Sequence, residues 1–266
     1  MTIDEKEDRL IYVEPVENDK NVFIYWEGPE YSLISLLRKI IYKFSDGGKN
    51  YKVHFLNDSN ISQYIDIPEE YFNLSIVQKA DLVRVNVVYK YGGIWLDSDT
   101  LVMSNLASLF DIIDNQSGFL IKENNIYVCN GVFGSKSKTQ FLSEYAKRIA
   151  DTIKTHAPEH LSWSALGPSM ANDIHLSTNM TNDYIVFDGL DTLYPVNWDG
   201  CVEYFLHRKK DEYKIVEREY QPLIVLVNSV YRNLENNTEE EILEMDNILA
   251  YFLQKCITSK EINGII

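Results

Sequence analysis

The sequence is poor in the features that mark disulfide scaffolds, membrane spans and nucleic-acid binders. Only three cysteines occur among 266 residues, Cys129, Cys201 and Cys256. They are odd in number and far apart, which excludes a disulfide framework and any zinc-finger spacing; buried free thiols are the expected state. No apolar run approaches the ~18 residues needed to cross a bilayer. The first twenty residues, MTIDEKEDRLIYVEPVENDK, are charged throughout and lack an apolar signal core. These absences predict a soluble, cytoplasmic protein without a transmembrane segment. Positive charge is also short, with 25 Lys and Arg against 40 Asp and Glu, a formal charge of −15. That balance argues against nucleic acid or an anionic membrane as partner, since both reward a basic face. Any anionic ligand would need neutralising by something other than bulk charge, and a metal ion is the usual answer. Repeats, low-complexity tracts and linkers are missing as well. What is present, 45% hydrophobic and 24% charged residues, is ordinary globular composition, enough for a sizeable core.

Hydrophobic periodicity predicts a strand over NVFIYWEG (21–28), a helix over SLISLLRKIIYKF (32–44) and a strand over YKVHFLND (51–58). SIVQKADLVRVNVVYKYGG is apolar nearly all round and stops at Gly92-Gly93, which reads as a buried helix with a glycine terminator. IWLDSDTLVM follows as a strand with an apolar first half and an acidic second half. Later strands are expected at GFLIKEN, YVCNGVFGS, YIVFDGL and PLIVLVNS. Helices are expected at 139–156, around Gly167-Pro168, and over TEEEILEMDNILAYFLQKCITS. Early strand–helix alternation favours a mostly parallel, doubly wound sheet, in which ligands sit at the carboxyl ends of strands. The acidic end of the 94–99 strand is therefore the first place to look.

Asp97 and Asp99 are one residue apart. On an extended backbone both carboxylates would point to one side, roughly 7 Å apart. Two hard oxygen ligands so placed suit Mg²⁺ or Mn²⁺ with positions left open for phosphate oxygens. Asp-Ser-Asp-Thr also suits a solvated turn. On the preceding helix Asp81 and Arg84 are three apart and share a face. Charges on a buried helix must pair or bind something, and the residues alone leave both open, with Lys79 as a further partner.

The spacing of Asp81, Arg84, Gly92, Gly93, Asp97 and Asp99 in ADLVRVNVVYKYGGIWLDSDT (80–100) resembles that of glycosyltransferase family 32 and the capsular polysaccharide synthesis proteins. FIYWEGPE and NYKVHFLNDSNISQYI extend the resemblance, which is good over 21–105 and fades beyond. It implies a GT-A-type α/β fold, a Rossmann-like doubly wound mixed sheet with helical elaborations. One domain would span 1–266: an acidic leader (1–20), a nucleotide-sugar-binding half (21–115), then an acceptor-side half and closing helix (116–266). It implies a metal-dependent, retaining hexosyltransferase using Mn²⁺ or Mg²⁺, a donor that is UDP-linked by analogy, and a glycan or protein-linked acceptor.

Carried over by position, the resemblance makes Asp81 and Arg84 the grip on donor sugar and diphosphate. Asp97 reaches ribose, sugar or metal-bound water, and Asp99 is the direct metal ligand. Gly92 and Gly93 belong to the same cofactor-binding motif. Trp26 matches an aromatic that stacks on the nucleobase, though a core tryptophan is as good a reading. Asn130 matches a residue lining the sugar pocket, with a strand-end turn the alternative. Leu166-Gly167-Pro168 stands where the family has Thr-Gly-Pro. PLIVLVNSVY matches a late segment in which the family's His is Val225 here, leaving Asn228 or Ser229 as substitute metal ligands. Tyr127, Trp163, Tyr184, Asp188, Trp198 and Asp199 are either sugar platforms or core.

Two other readings fit parts of the pattern. IWLDSDTLV also matches the nucleophile strand of haloacid-dehalogenase phosphatases, with Asp97 and Asp99 as nucleophile and acid/base and Asp188 or Asp191 as a second acidic motif. The departure at Val225 also fits an inactive nucleotide-sugar-binding relative.

Overall fold

A computed structural model describes residues 14–123, 127–189, 196, 200–215, 222–227 and 231–259. The first thirteen residues of the acidic leader lie outside these, as do Asp191, Trp198, Asp199, Asn228 and Ser229.

β1 (Asn21–Tyr25) is buried at all five positions. It runs parallel to β2 (Lys52–Leu56) on one side and to β3 (Gly93–Leu96) on the other. A strand flanked and covered this way has no wet face, which is why NVFIY shows no polar alternation. Between β1 and β2 the chain forms α1 (Ser32–Phe44), whose Leu33, Leu37, Ile40, Ile41 and Phe44 make one buried stripe. Between β2 and β3 it forms α2 (Ile76–Tyr91). Ser75 and Gln78 close a capping box at its start, and Gly92, at φ +70°, caps its end with its N–H on the Val88 carbonyl.

Side chains of the central strands alternate between two cores. Val22, Ile24, Ile94 and Leu96 pack with α1, whereas Phe23, Tyr25 and Trp95 pack with α2. One crossover helix on each face makes the sheet doubly wound.

The main sheet continues with β5 (Gly118–Glu123), β6 (Tyr127–Ser135) and β7 (Tyr184–Asp188), in the order β2-β1-β3-β6-β5-β7. β6 is antiparallel to both neighbours, β3 and β5, and the other pairs are parallel. The sheet is thus mixed, as the resemblance implies. α3 (Ala107–Asn115) and α8 (Ile248–Thr258) join the α1 core, and α4 (Gln140–Thr155) and α5 (Pro168–Ser177) the α2 core. The short helices α6 (Cys201–His207) and α7 (Glu239–Glu244) also feed the α1 core.

Two expected elements are broken. The predicted closing helix is α7 and α8, because Met245 leaves helical geometry (φ −56°, ψ 140°) and Asn247 restarts the chain by accepting from the Ala250 N–H at 2.9 Å. IWLDSDTLVM is also two strands. Asp97 N–H still bonds the Gly131 carbonyl at 2.8 Å, but Thr100 N–H then folds back onto the Asp97 carbonyl at 3.0 Å. That turn delivers the chain to β4 (Thr100–Val102), which pairs with β8 (Leu223–Val225) in a separate antiparallel ribbon. Asp97 and Asp99 therefore sit on a turn, and the ~7 Å spacing of an extended strand does not describe them.

Candidate functional site

β1 connects to β2 on one side, and the chain then crosses β1 to place β3 on the other. Strand order reverses at β1/β3, and in a doubly wound sheet the crevice opens at the carboxyl ends of those two strands. Trp26 follows the last residue of β1 and Asp97 the last residue of β3. The carboxylates singled out from the sequence thus stand at the position where the topology makes a cleft.

Beneath Asp97 lies a buried polar assembly. Arg84 Nη2 is 3.2 Å from Asp97 Oδ1 and 3.4 Å from Asp81 Oδ1. Its Nη1 donates to the Asn130 carbonyl at 2.6 Å and its Nε to the Ala80 carbonyl at 3.2 Å. The guanidinium also lies 5.2 Å from the Trp95 ring centroid. Every guanidinium nitrogen is engaged, and the side chain is only 6% exposed. Burial opposes the Arg84 charge, but Asp97 and Asp81 outweigh it and keep the group protonated.

The two carboxylates differ in access. Asp97 is 34% exposed and marks the mouth of the site; its Oδ1 also accepts from the Trp95 indole N–H at 2.8 Å. Burial of its inner face raises its pKa above 3.8, while Arg84 and Trp95 pull it down and water at the open face screens the rise. Asp81 is 3% exposed. Burial lifts its carboxyl from 3.8 to about 6, against the attraction of Arg84 and the hydrogen bond from Asn130 Nδ2 (2.8 Å to Oδ1). Its Oδ2 is buried with no hydrogen-bond partner.

Other predicted residues fall into place around this assembly. Asn130 is 6% exposed and braces Asp81 through its amide and Arg84 through its carbonyl. Trp26 is half-buried, with its indole N–H on the Pro29 carbonyl at 3.1 Å and its ring edge-on to Tyr31. Gly167 matters for the volume it leaves: a Cβ there would lie 2.7 Å from both Asp81 carboxyl oxygens.

The glycine pair is placed differently from the cofactor-binding role expected of it. Gly92 and Gly93 stand at the amino end of β3, with Gly93 roughly 13 Å of strand away from Asp97. Their work there is steric. A Cβ on Gly93 would lie 2.3 Å from the Asn21 carbonyl oxygen, so glycine is what lets β3 pair with β1. Lys79, read as a partner for the helix charges, instead bridges to Asp58, which also accepts from the Tyr25 and Tyr71 hydroxyls. Tyr184 is core, its hydroxyl among Ser135 and Thr139, whereas Trp163 is 70% exposed.

Val225 is 6% exposed and pairs with Thr100 in the ribbon. Leu226 N–H then bonds the Asp99 carbonyl at 3.0 Å, so this late segment does run beside the turn. Asn228 lies outside the described residues.

Sequence reasoning missed Tyr145 and treated Trp95 as merely apolar. Tyr145 sits on α4, donates to the Gly167 carbonyl at 2.8 Å and accepts from Asn130 Nδ2 at 3.2 Å. In the sequence it is one aromatic in an amphipathic helix, with nothing to mark it.

Among the described residues, no three His, Cys, Asp or Glu side chains are grouped so as to hold a metal by themselves. Nor is any described helix long and apolar enough to cross a membrane.

Known proteins share parts of this chain. Human lactosylceramide 4-alpha-galactosyltransferase is 25% identical over 135 residues, 47% of this chain and 35% of that protein. The O-glycosyltransferase braB of Annulohypoxylon truncatum is 28% identical over 110 residues, 36% of this chain and 26% of that protein. The Pongo pygmaeus form of the galactosyltransferase is matched over 56% of its length, so the chain spans from about a quarter to just over half of these relatives. Among solved structures, a glycosyltransferase involved in the glycosylation of the major capsid of PBCV-1 aligns with 82% of this chain and 99% of its own, at TM-score 0.49 and 13% identity. The galactosyltransferase LgtC, solved with donor and acceptor sugar analogs, aligns with 90% of this chain and 96% of its own, at TM-score 0.47 and 10% identity. The family described as capsular polysaccharide synthesis protein matches residues 3–158, more than half of the sequence and all of the assembly around Asp81, Arg84, Asp97 and Asn130. That match decides against a haloacid-dehalogenase phosphatase: the chain belongs to the capsular polysaccharide synthesis protein family.

Proposed function

We propose that the chain is a glycosyltransferase that moves a hexose from a nucleotide-diphosphate sugar, UDP-linked, to a hydroxyl of a glycan or protein-linked acceptor. The observation that carries the reading is the open Asp97 carboxylate at the β1/β3 crevice, held from beneath by Arg84 and Asp81. The names of the glycosyltransferases that share part of this chain support it.

Charge decides how a diphosphate can enter. The chain is strongly acidic, the mouth presents Asp97 with Asp99 two residues on in the same turn, and Arg84 is internal with every nitrogen engaged. A diphosphate arriving alone would meet repulsion, so it must come with a cation. Two carboxylates suit Mg²⁺ or Mn²⁺, which typically keep one or two protein carboxylates and take remaining ligands from water and substrate phosphates. Asp97 and Asp99 would hold the ion, which would neutralise charge on the departing diphosphate. Arg84 acts through Asp97, keeping it ionised and oriented, and Asp81 fixes Arg84 and the floor of the sugar site. Trp26, at the end of β1, is the platform for the base. Residues 21–115 form the donor side and 116–266 the acceptor side. Transfer with retention, the departing diphosphate oxygen taking the acceptor proton, is what the family resemblance implies, and it is compatible with an Asp81 that is sealed and an Asp97 that is tied to Arg84.

A thermal-shift panel of Mn²⁺, UDP and both together tests the reading, followed by sugar release from UDP-hexoses. The pair should raise the midpoint where neither component does alone, and Asp99→Asn should abolish the gain. Absence of any shift with Mn²⁺ and uridine or guanosine diphosphates would refute it. Binding without sugar release would identify a nucleotide-sugar-binding relative that has lost turnover.

A further inference from the structure

The assembly does not end at Asn130. From Asp97 at the mouth it passes inward through Arg84 and Asp81 to the Asn130 amide, then to the Tyr145 hydroxyl and the Gly167 carbonyl, all of them buried beyond Asp97. It thereby joins α2 and the β3 turn to α4 and the loop leading into α5. Asp81 Oδ1 accepts one Asn130 N–H, and the other Asn130 N–H goes to Tyr145. The Tyr145 hydroxyl proton goes to Gly167, whose missing side chain is the space the Asp81 carboxylate occupies.

We propose that Tyr145 is a positioning residue for the donor site: by accepting from the Asn130 amide and donating to the Gly167 carbonyl, its hydroxyl fixes the Asp81 carboxylate in a single orientation against Arg84. The amide of an asparagine with one fixed hydrogen bond can aim its second only one way, so Tyr145 aims Asn130 at Asp81. The same hydroxyl holds Gly167 where it leaves the carboxylate room without admitting water. A phenol suits this position because it donates and accepts at once while its ring packs against Phe141, with centroids 5.8 Å apart. The role in catalysis rests on the glycosyltransferase reading; the effect on Asp81 does not.

Tyr145→Phe removes only the hydroxyl and keeps the ring. Phe141→Leu, which perturbs the same packing but leaves every hydrogen bond in place, serves as the structural control. In ligand-free protein, the Asp81 side-chain carboxyl is titrated by carbon NMR, using Asp81→Asn to assign its signal. Tyr145→Phe should move the Asp81 midpoint upward by about 0.5–1 pH, because a loosened Asn130 amide stabilises the ionised form less. Phe141→Leu should leave it in place at a comparable loss of thermal midpoint. With donor and acceptor, Tyr145→Phe should lower kcat by roughly 10- to 100-fold while KM for the donor changes less than about threefold. An unmoved Asp81 midpoint, an equal move in Phe141→Leu, or an unchanged kcat overturns the proposal. If the wild-type protein transfers no sugar, the glycosyltransferase reading fails, and the ligand-free titration still decides whether Tyr145 governs Asp81.

Discussion

Asp81→Asn should make the protein more stable at neutral pH and abolish its activity. The reasoning starts from burial. Asp81 is 3% exposed, and the fold lifts its carboxyl from 3.8 to about 6 despite Arg84 and Asn130. At pH 7.5 the folded protein therefore holds a carboxylate that it would hold more comfortably as a neutral acid. The difference corresponds to about 3 kcal/mol at 1.36 kcal/mol per pH unit.

A carboxyl whose folded-state pKa exceeds its unfolded one contributes stability below about pH 4, and that contribution is lost as pH rises through about 6. Asparagine copies the shape of the protonated acid and carries no charge at any pH. Wild type and variant should thus be nearly equal at pH 4. Their difference should open between pH 4 and 6 and reach up to about 3 kcal/mol in favour of the variant at pH 7.5. For a chain of this size that is a rise in thermal midpoint of roughly 6–12 °C. Calorimetric scans of both proteins from pH 4 to 8, with urea titrations at the two ends, measure it. A variant less stable than wild type at pH 7.5 would refute the argument, since it would mean that the ion pair with Arg84 outweighs the burial of Asp81.

Arg84→Met should behave in the opposite sense: it leaves two carboxylates uncompensated and should lower stability by about 3–5 kcal/mol at pH 7.5. Because Asp81 and Asp97 then protonate more readily in the fold, the loss should shrink towards pH 5, and urea midpoints at the two pH values check it. Gly93→Ala should lower stability by more than about 3 kcal/mol or prevent folding, because its Cβ would lie 2.3 Å from the Asn21 carbonyl oxygen; a Tm within a few degrees of wild type would contradict it. Tyr231→Phe should be neutral or stabilising by about 1 kcal/mol, as it deletes a buried hydroxyl that has no hydrogen-bond partner, and a clear loss of stability would show that the hydroxyl is satisfied in solution.

The first half of the fold was legible because its signals are short in sequence. The helix stripe of Leu33 to Phe44 and the continuous burial of NVFIY need only local periodicity, and both elements were found within a few residues. The shared helix face of Asp81 and Arg84 was equally readable. What the sequence misled on was the turn at Asp97–Thr100, because an apolar–acidic–apolar run has the same pattern whether the acidic part is straight or folded. Only the transfer of Thr100 to a second sheet distinguishes the two, and its partner, Val225, is more than a hundred residues away. Tyr145 and Gly167 were hidden at shorter separations, 22 residues from each other. Nothing about an aromatic in an amphipathic helix tells which buried carbonyl its hydroxyl will meet.

The glycine pair shows how a motif can be specific without all of it touching a ligand. Gly92 ends α2 and Gly93 admits β3 beside β1, and both lie at the far end of the strand from Asp97. Moving either end of β3 by one residue would turn Trp95 from the α2 core into the α1 core, because strand side chains alternate. Trp95 would then lose both its indole bond to Asp97 and its contact with Arg84. The glycines thus set the register that aims the carboxylate, and the fixed spacing from Asp81 to Asp97 follows from that geometry: the helix from Asp81 to Tyr91, a tight reversal at Gly92 and the four residues of β3 have to bring one arginine under two aspartates.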